Sequence, residues 1–521
     1  MRRFALERLK EWKEKKNRKP LIIRGARQVG KTWLMKEFGA TCFEKTAYVN
    51  FDSNPRMQQV FDGEINVERI LLAISVETGV SVKSEDTLLI FDEIQEVPKA
   101  LSSLKYFCEN APEYAIVAAG SLLGVAMHKG TSFPVGKVDF MDLYPLNFQE
   151  FLCALGEERF AELLQSGDTQ MINTFASKYK DRLREYYYVG GMPEVVQSYV
   201  NDKDFGRVRE IQKDLLNYYR QDFSKHAENS LVPRLNLVWD SIPMQLAKEN
   251  KKYIYGQVRE GARAKDFELA IQWLLDCGLI HKVNRVSKPA LPLKAYLNLD
   301  AFKIYLLDIG LLIAMTDLDA RVIIDGNRIF TEFKGALTEQ YVLQQLISEV
   351  GVIPYYYSTE NSSGEIDFMV QGKTSVIPIE VKAEENLRAR SLKVFCEKYQ
   401  PQYAIRTSMS DYREQEWMTN IPLYNIDYVK KICKKYNLVI IYKSFLNCYK
   451  IYPKGSEKSN VINIINKFFY DEYNIISFGN DKTDYETLKR EREQILSTNV
   501  ENIRELAPLV REAMADNNIC V

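Results

Sequence analysis

The sequence is poor in histidine, with three in 521 residues, and its eight cysteines (Cys42, Cys108, Cys153, Cys277, Cys396, Cys433, Cys448 and Cys520) never stand as C-x-x-C. No histidine lies near enough in sequence to complete a zinc motif. Neither a structural zinc site nor a disulfide scaffold is expected, and a reducing cytoplasm suits the thiols. An excess of one charge is missing too: Lys plus Arg and Asp plus Glu both number 70. That excludes a histone-like coat of basic charge and leaves room for a local basic face. No apolar run approaches the roughly 18 residues needed to span a bilayer, so no membrane role is expected. The basic N-terminus, MRRFALERLKEWKEKKNRKP, lacks the apolar stretch of a signal peptide. Phe4, Leu6, Leu9 and Trp12 recur there at near-helical spacing, which predicts an amphipathic helix that Pro20 ends. What remains is ordinary globular material, 46% apolar and 27% charged. Its length predicts roughly three or four domains of about 150 residues each.

The most specific signal is GARQVGKT, residues 25–32, between the apolar run LIIR and the helical pattern WLMKEF. This is G-x-x-x-x-G-K-[ST] in a strand–loop–helix setting. Gly25 and Gly30 let the backbone curl so that the amides of Ala26, Arg27, Gln28 and Val29 face phosphates. The start of the following helix adds partial positive charge. In this pattern Lys31 reaches the β- and γ-phosphates, and the Thr32 hydroxyl ligates Mg²⁺. ATP and Mg²⁺ are the expected cofactors. A second apolar run, TLLIFDE, ends in Asp92-Glu93. Its strand delivers Asp92 to the metal through water, and Glu93 to the attacking water. A third, YAIVAAGS, ends at Ser121, either a sensor of phosphate or a turn residue. TAYVNFD, residues 46–52, adds a strand that brings Asp52 toward the same end, and KVDFMDLYPLNFQEFL, 137–152, reads as a strand and then a helix.

GARQVGKT, LLIFDE, AAGSLL, LYPLNFQEF and YYYVGGMPEVV (186–196) resemble, in order, the bacterial and archaeal AAA-type ATPases that carry a C-terminal domain of unknown function. The resemblance covers about residues 18–430. It implies a five-stranded parallel core with an ATP site, then a winged helix, then a nuclease-like domain. Members often have Gly-Arg before the YPL segment, where this chain has Gly136-Lys137. If that Arg acts on the γ-phosphate in relatives, Lys137 lacks its guanidinium fork. Arg27 and Arg220 are then the substitutes to weigh.

Farther on, Gly190-Gly191-Met192-Pro193 interrupts a helix-rich stretch and is either a hinge or a tight helix junction. Residues 231–315 read as helix, helix and hairpin, the winged-helix order. Lys251, Lys252, Arg259, Arg263 and Lys265 cluster at the expected recognition helix, either to meet DNA phosphates or as a solvated face diluted by Glu249, Glu260, Asp266 and Glu268. Next, GEIDFMV and SVIPIEVKA put Asp367, Glu380 and Lys382 on a hairpin as D-x12-E-x-K, the arrangement of a restriction-endonuclease-like core. Asp367 and Glu380 would bind Mg²⁺, Glu339 could add a ligand from a helix, and Lys382 would activate a water. The same fold can also persist without cleavage. Beyond about residue 432 the resemblance stops. The last segment is helical in pattern and is similar to the C-terminal helices of insulinase-type metallopeptidases. H-x-x-E-H is absent, so no protease activity follows, and the tail reads as a fused fragment.

The expected fold is α/β. A parallel-sheet AAA-type core (1–155) precedes a helical lid (156–228), a winged helix (229–325), a small nuclease-like α/β domain (326–432) and an extension (433–521). The expected function is ATP binding and hydrolysis by a protein that acts on or switches at nucleic acid, with a Mg²⁺-dependent nuclease module and with Glu93, Lys31, Ser121 and Lys382 as the catalytic set. DNA is the expected partner, together with a further subunit or protein. A non-nucleolytic scaffold or signalling ATPase is the alternative.

Overall fold

The computed structural model describes residues 1–63, 65–120, 124, 133–248, 251–324, 331–359, 364–384, 389–434, 438–443 and 448–453. Ser121, Glu249 and the helical pattern near the C-terminus lie outside the described residues. The chain divides into two compact units. One holds residues 1–371 with 375–430, and the other residues 372–374 with 431–521.

The first sheet is built from short apolar runs. Strands β1 (Leu21–Arg24), β2 (Lys45–Asn50), β3 (Thr87–Asp92), β4 (Ala115–Ala119) and β5 (Asp139–Asp142) lie in the order β2-β3-β4-β1-β5. All the pairs are parallel. A parallel sheet needs cover on both faces, which explains the continuous burial of TLLIFD. Leu89, Phe91, Ile116 and Ala118 point into one core with Phe61 and Phe107. Helix α1 (Ala5–Lys13) ends well before Pro20, so the proline does not stop it. Helix α2 (Lys31–Cys42) follows the loop after β1 and buries Leu34, Met35 and Phe38.

Helices then accumulate: α3 (Phe148–Ala154), α4 (Ala176–Val189), α5 (Pro193–Asp202), α6 (Phe205–His226) and α7 (Val232–Leu246). Between α4 and α5 the Gly pair is a tight junction. The Gly191 N–H donates to Asp308 Oδ2 at 2.6 Å, and its carbonyl accepts from Leu146 N at 2.7 Å. A Cβ at Gly191 would collide with the Leu146 carbonyl oxygen.

After α7 come a short helix (Tyr255–Val258), α8 (Ala264–Asp276) and a hairpin of β6 (Ile280–Val286) and β7 (Leu297–Leu306). Helices α9 (Ile309–Met315) and α10 (Thr331–Gln345) precede the remaining strands. These are β8 (Tyr355–Ser358), β9 (Glu365–Gln371), β10 (Val376–Val381), β11 (Ile405–Ser408), β12 (Arg413–Glu414) and β13 (Thr419–Pro422). The hairpin does not stand apart. It extends a single eight-stranded sheet, β12-β13-β11-β10-β9-β8-β6-β7, and Val286 and Leu293 share a core with Tyr357, Ile366 and Met369. The boundary drawn from sequence at 325/326 therefore cuts through one sheet. In the second unit β14 (Leu438–Lys443) and β15 (Cys448–Pro453) pair antiparallel.

Candidate nucleotide site and acidic cluster

The loop after β1 has the backbone its glycines allow. Gly25 has φ +150°, where a Cβ would strike the Leu143 carbonyl oxygen, and Gly30 has φ +92°. Gln28 is also left-handed, at φ 64°. Lys31 is buried, its Nζ donating to the carbonyls of Gly25 at 3.0 Å and Ala26 at 2.8 Å. Burial lowers its pKa to about 8. Thr32 Oγ1 donates to Asp92 Oδ2 at 2.7 Å, and Tyr48 OH reaches the same oxygen at 2.9 Å. This hydroxyl–carboxylate set of hard oxygens fits Mg²⁺. Glu93 follows in the left-handed region, at φ 50°. Gln95 Nε2 donates to its Oε2 at 2.7 Å.

A cavity of about 660 Å³ is lined by Arg27, Gln28, Gly30, Lys31, Thr32 and Glu93, and on its other wall by Pro193 of α5 and Tyr219 and Asp222 of α6. The loop is fastened to α6 twice. Arg27 Nη1 pairs with Asp222 Oδ1, and Tyr219 OH donates to the Arg27 carbonyl at 3.0 Å. Arg3, buried, fastens it from the other side through the Val29 carbonyl (3.0 Å), the Tyr144 carbonyl and Glu150 Oε1 (3.2 Å). No sequence signal marked Arg3, Tyr48, Tyr219 or Asp222, because each acts across a long stretch of chain.

Three expectations fail on position. Lys137 precedes β5, so it lies at the edge where the parallel strands begin, whereas the loop lies where they end. It pairs with Glu109 at 2.9 Å. Arg220 pairs with Asp240 and does not line the nucleotide cavity. Asp52 is exposed and also outside the cavity lining.

The hairpin carboxylates do converge, but with lysines among them. Glu380 Oε1 pairs with Lys382 Nζ at 2.7 Å, and its Oε2 is buried with no hydrogen-bond partner. Asp367 Oδ2 accepts from Val381 N at 2.7 Å. Burial, with Glu339 and Glu380 nearby, pushes the Asp367 carboxyl well above the usual range. Glu339 is fully engaged: Lys251 Nζ sits on Oε1 at 2.6 Å and Tyr305 OH on Oε2 at 3.0 Å, with Lys303 Nζ at 3.6 Å. Burial alone would raise its pKa, yet Lys251 and Lys303 bring it down below the usual carboxylate range. The expected third metal ligand is thus a lysine partner. Among the described residues no group of three or more His, Cys, Asp or Glu is arranged to hold a metal. The orphaned Glu380 oxygen and Asp367 are donors a cation could use, whereas the Glu339 oxygens already accept from Lys251 and Tyr305. Lys251 also leaves the basic cluster expected at the recognition helix. There the Arg263 N–H donates to Asp266 Oδ2 at 2.8 Å, and the exposed positions of α8 include Lys265, Glu268 and Leu269.

Among the described residues no helix is long and apolar enough to cross a membrane. Cys42, Cys108, Cys153, Cys277, Cys396 and Cys433 are free thiols. Comparison with known families matches residues 17–152 to an AAA domain, 180–322 to a domain of unknown function (DUF8612) and 334–426 to another (DUF4143). No curated protein gives a significant match. Solved structures similar to this chain include the Walker-type ATPase PABY2304 of Pyrococcus abyssi, at 16% identity and a TM-score of 0.38, covering 60% of this chain and 95% of that one. The Aeropyrum pernix ORC1 protein in complex with DNA is 14% identical with a TM-score of 0.23, covering 60% and 91%. Parallel sheet, phosphate loop and family match agree that the N-terminal part of the chain is an AAA-type P-loop ATPase domain.

Proposed function

We propose that the chain binds and hydrolyses ATP and acts on, or switches at, nucleic acid. The observation that carries the ATP half is the Thr32–Asp92 contact at 2.7 Å, in a cavity lined also by Lys31 and Glu93. Bound there, Mg²⁺ would neutralise phosphate charge and orient the γ-phosphate. The loop amides and Lys31 hold the phosphates, and Glu93 takes a proton from the attacking water. Asp367, Glu380 and Lys382 support a Mg²⁺-dependent phosphodiesterase step in the second sheet, with Lys382 orienting the water. A cytoplasmic protein with a DNA partner, in contact with further subunits, is the setting that suits these parts.

A second reading, a nucleotide-switched scaffold that cleaves nothing, has its own observation. Lys251 and Tyr305 occupy the two Glu339 oxygens, and the exposed positions of α8 mix Glu268 with Lys265. Plasmid and linear DNA incubated with Mg²⁺ or Mn²⁺, with and without ATP, separate the two. Metal-dependent cleavage lost in Asp367→Ala and Lys382→Ala, with ATP hydrolysis intact, is the expected result. No cleavage by the parent protein under any of these conditions selects the scaffold.

A further inference from the structure

We propose that Arg27 is the arginine that acts on the γ-phosphate in cis, stored on Asp222 in the nucleotide-free protein and drawn to the phosphate when ATP binds. The proposal rests on the ATP-hydrolysing reading and adds to it the source of guanidinium charge, which neither Lys137 nor Arg220 supplies. Lys137 is at the wrong edge of the sheet, and Arg220 is bound to Asp240 outside the cavity. Arg27 instead lines the cavity with Lys31, Thr32 and Glu93. Its side chain is about one-third exposed, against one-tenth for Asp222, so the guanidinium can turn toward the cavity without unpacking.

The partner arrangement suits an exchange. The Arg27 carbonyl is pinned separately by Tyr219 OH at 3.0 Å, so the side chain can leave Asp222 while the loop backbone stays in place. A guanidinium presents a planar fork that spans two phosphate oxygens, and a triphosphate carries more charge than one carboxylate. Burial pushes the Asp222 carboxyl up even with Arg27 beside it, so Asp222 can take up a proton when Arg27 leaves. One turn along α6, His226 has a buried Nε2 without a partner, which suits it to meet Asp222 once Arg27 departs. In hydrolysis the water oxygen bonds to the γ-phosphorus, and the bond to the β–γ bridging oxygen breaks. ADP leaves with the electron pair, and the water proton passes to Glu93. Arg27 neutralises charge gathering on the γ-phosphate oxygens and the bridging oxygen during that transfer.

The test measures turnover and the affinities for ATP and ADP in Arg27→Ala, Arg27→Lys and Asp222→Asn. An arginine acting this way contributes about 10³-fold or more to kcat. Arg27→Ala should lose that factor while its KM for ATP moves by less than about tenfold, and added guanidinium ion should restore part of the rate. Arg27→Lys should stay slow, since a point charge lacks the fork. Asp222→Asn, which removes the partner that stores Arg27, should raise the affinity for ATP relative to ADP, and an unchanged or lowered ratio would overturn the storage on Asp222. Parent-like turnover in Arg27→Ala overturns the proposal. So does a loss of ATP and ADP binding together, without a kcat effect and without guanidinium rescue, which would make Arg27 a structural tie to α6. If the parent protein binds ATP and never turns it over, the hydrolytic reading fails and the proposal is still decided: Arg27→Ala must lower the preference for ATP over ADP, and an unchanged preference overturns it.

Discussion

At the scale of single residues, the nucleotide site separates binding from turnover. Lys31 lies inside the loop on two backbone carbonyls and must turn outward to the phosphates. The amides that remain cannot neutralise the β- and γ-charges alone. Lys31→Ala should therefore abolish ATP binding in a titration with a fluorescent analogue. Glu93 touches no phosphate in the reading given above, so Glu93→Gln should keep ATP affinity and lower turnover by about 10²–10³-fold. Turnover at the parent rate would remove Glu93 from its role. The residues of this site that could be read from sequence are those whose chemistry is contiguous. Gly25 to Thr32 is one loop, and Asp92-Glu93 ends one strand. Asp222 and Arg3 were not legible, because a salt bridge or carbonyl contact formed across most of a domain leaves no local pattern. The partners of Glu339 were hidden for the same reason. Its helix was readable, but Lys251 and Tyr305, which occupy it, come from other elements.

At the scale of elements, apolar runs located the five strands of the first sheet to within a residue or two, since a buried parallel strand is a short apolar run bounded by turn residues. Topology then decided what spacing left open. Because β5 runs parallel to β1, residues before it belong to the edge away from the phosphate loop, which disposes of Lys137. The Gly190-Gly191 pair, a hinge or a junction by sequence, is a junction because Leu146 and Asp308 close on it. Gly191→Ala should destabilise the protein by on the order of 2–3 kcal/mol, since its Cβ meets backbone that cannot step aside. Gly256→Ala is the comparison: a Cβ there meets nothing within 4 Å, and the change should stay within about 0.5 kcal/mol. Thermal unfolding of the two variants checks this, and equal midpoints would mean the α4–α5 junction relaxes more easily than its contacts imply.

At the scale of the whole chain, the eight-stranded sheet was the least legible feature. The β6–β8 pair joins strands some seventy positions apart through only two residue pairs, Arg285 with Tyr356 and Val286 with Tyr357. Nothing in the alternation of either strand announces its neighbour, so the sequence divides there and the fold does not. This has a consequence for fragments. A chain ending at residue 325 would leave β6 and Val286 uncovered, and a chain beginning at 326 would expose the β8 edge, so both should be insoluble or bind exposed-hydrophobe dyes. A cut after Lys434 differs. It keeps the helix Tyr428–Lys434 whole, and both large sheets and the nucleotide cavity lie before it. That fragment should be soluble and bind ATP with the affinity of the full chain. Loss of solubility or of ATP binding in the shorter form would show that residues 435–521 supply part of the core. If instead the fragments cut at 325/326 fold, two residue pairs and a shared core would be too little to bind the hairpin to the sheet, and the division read from sequence would be the physical one.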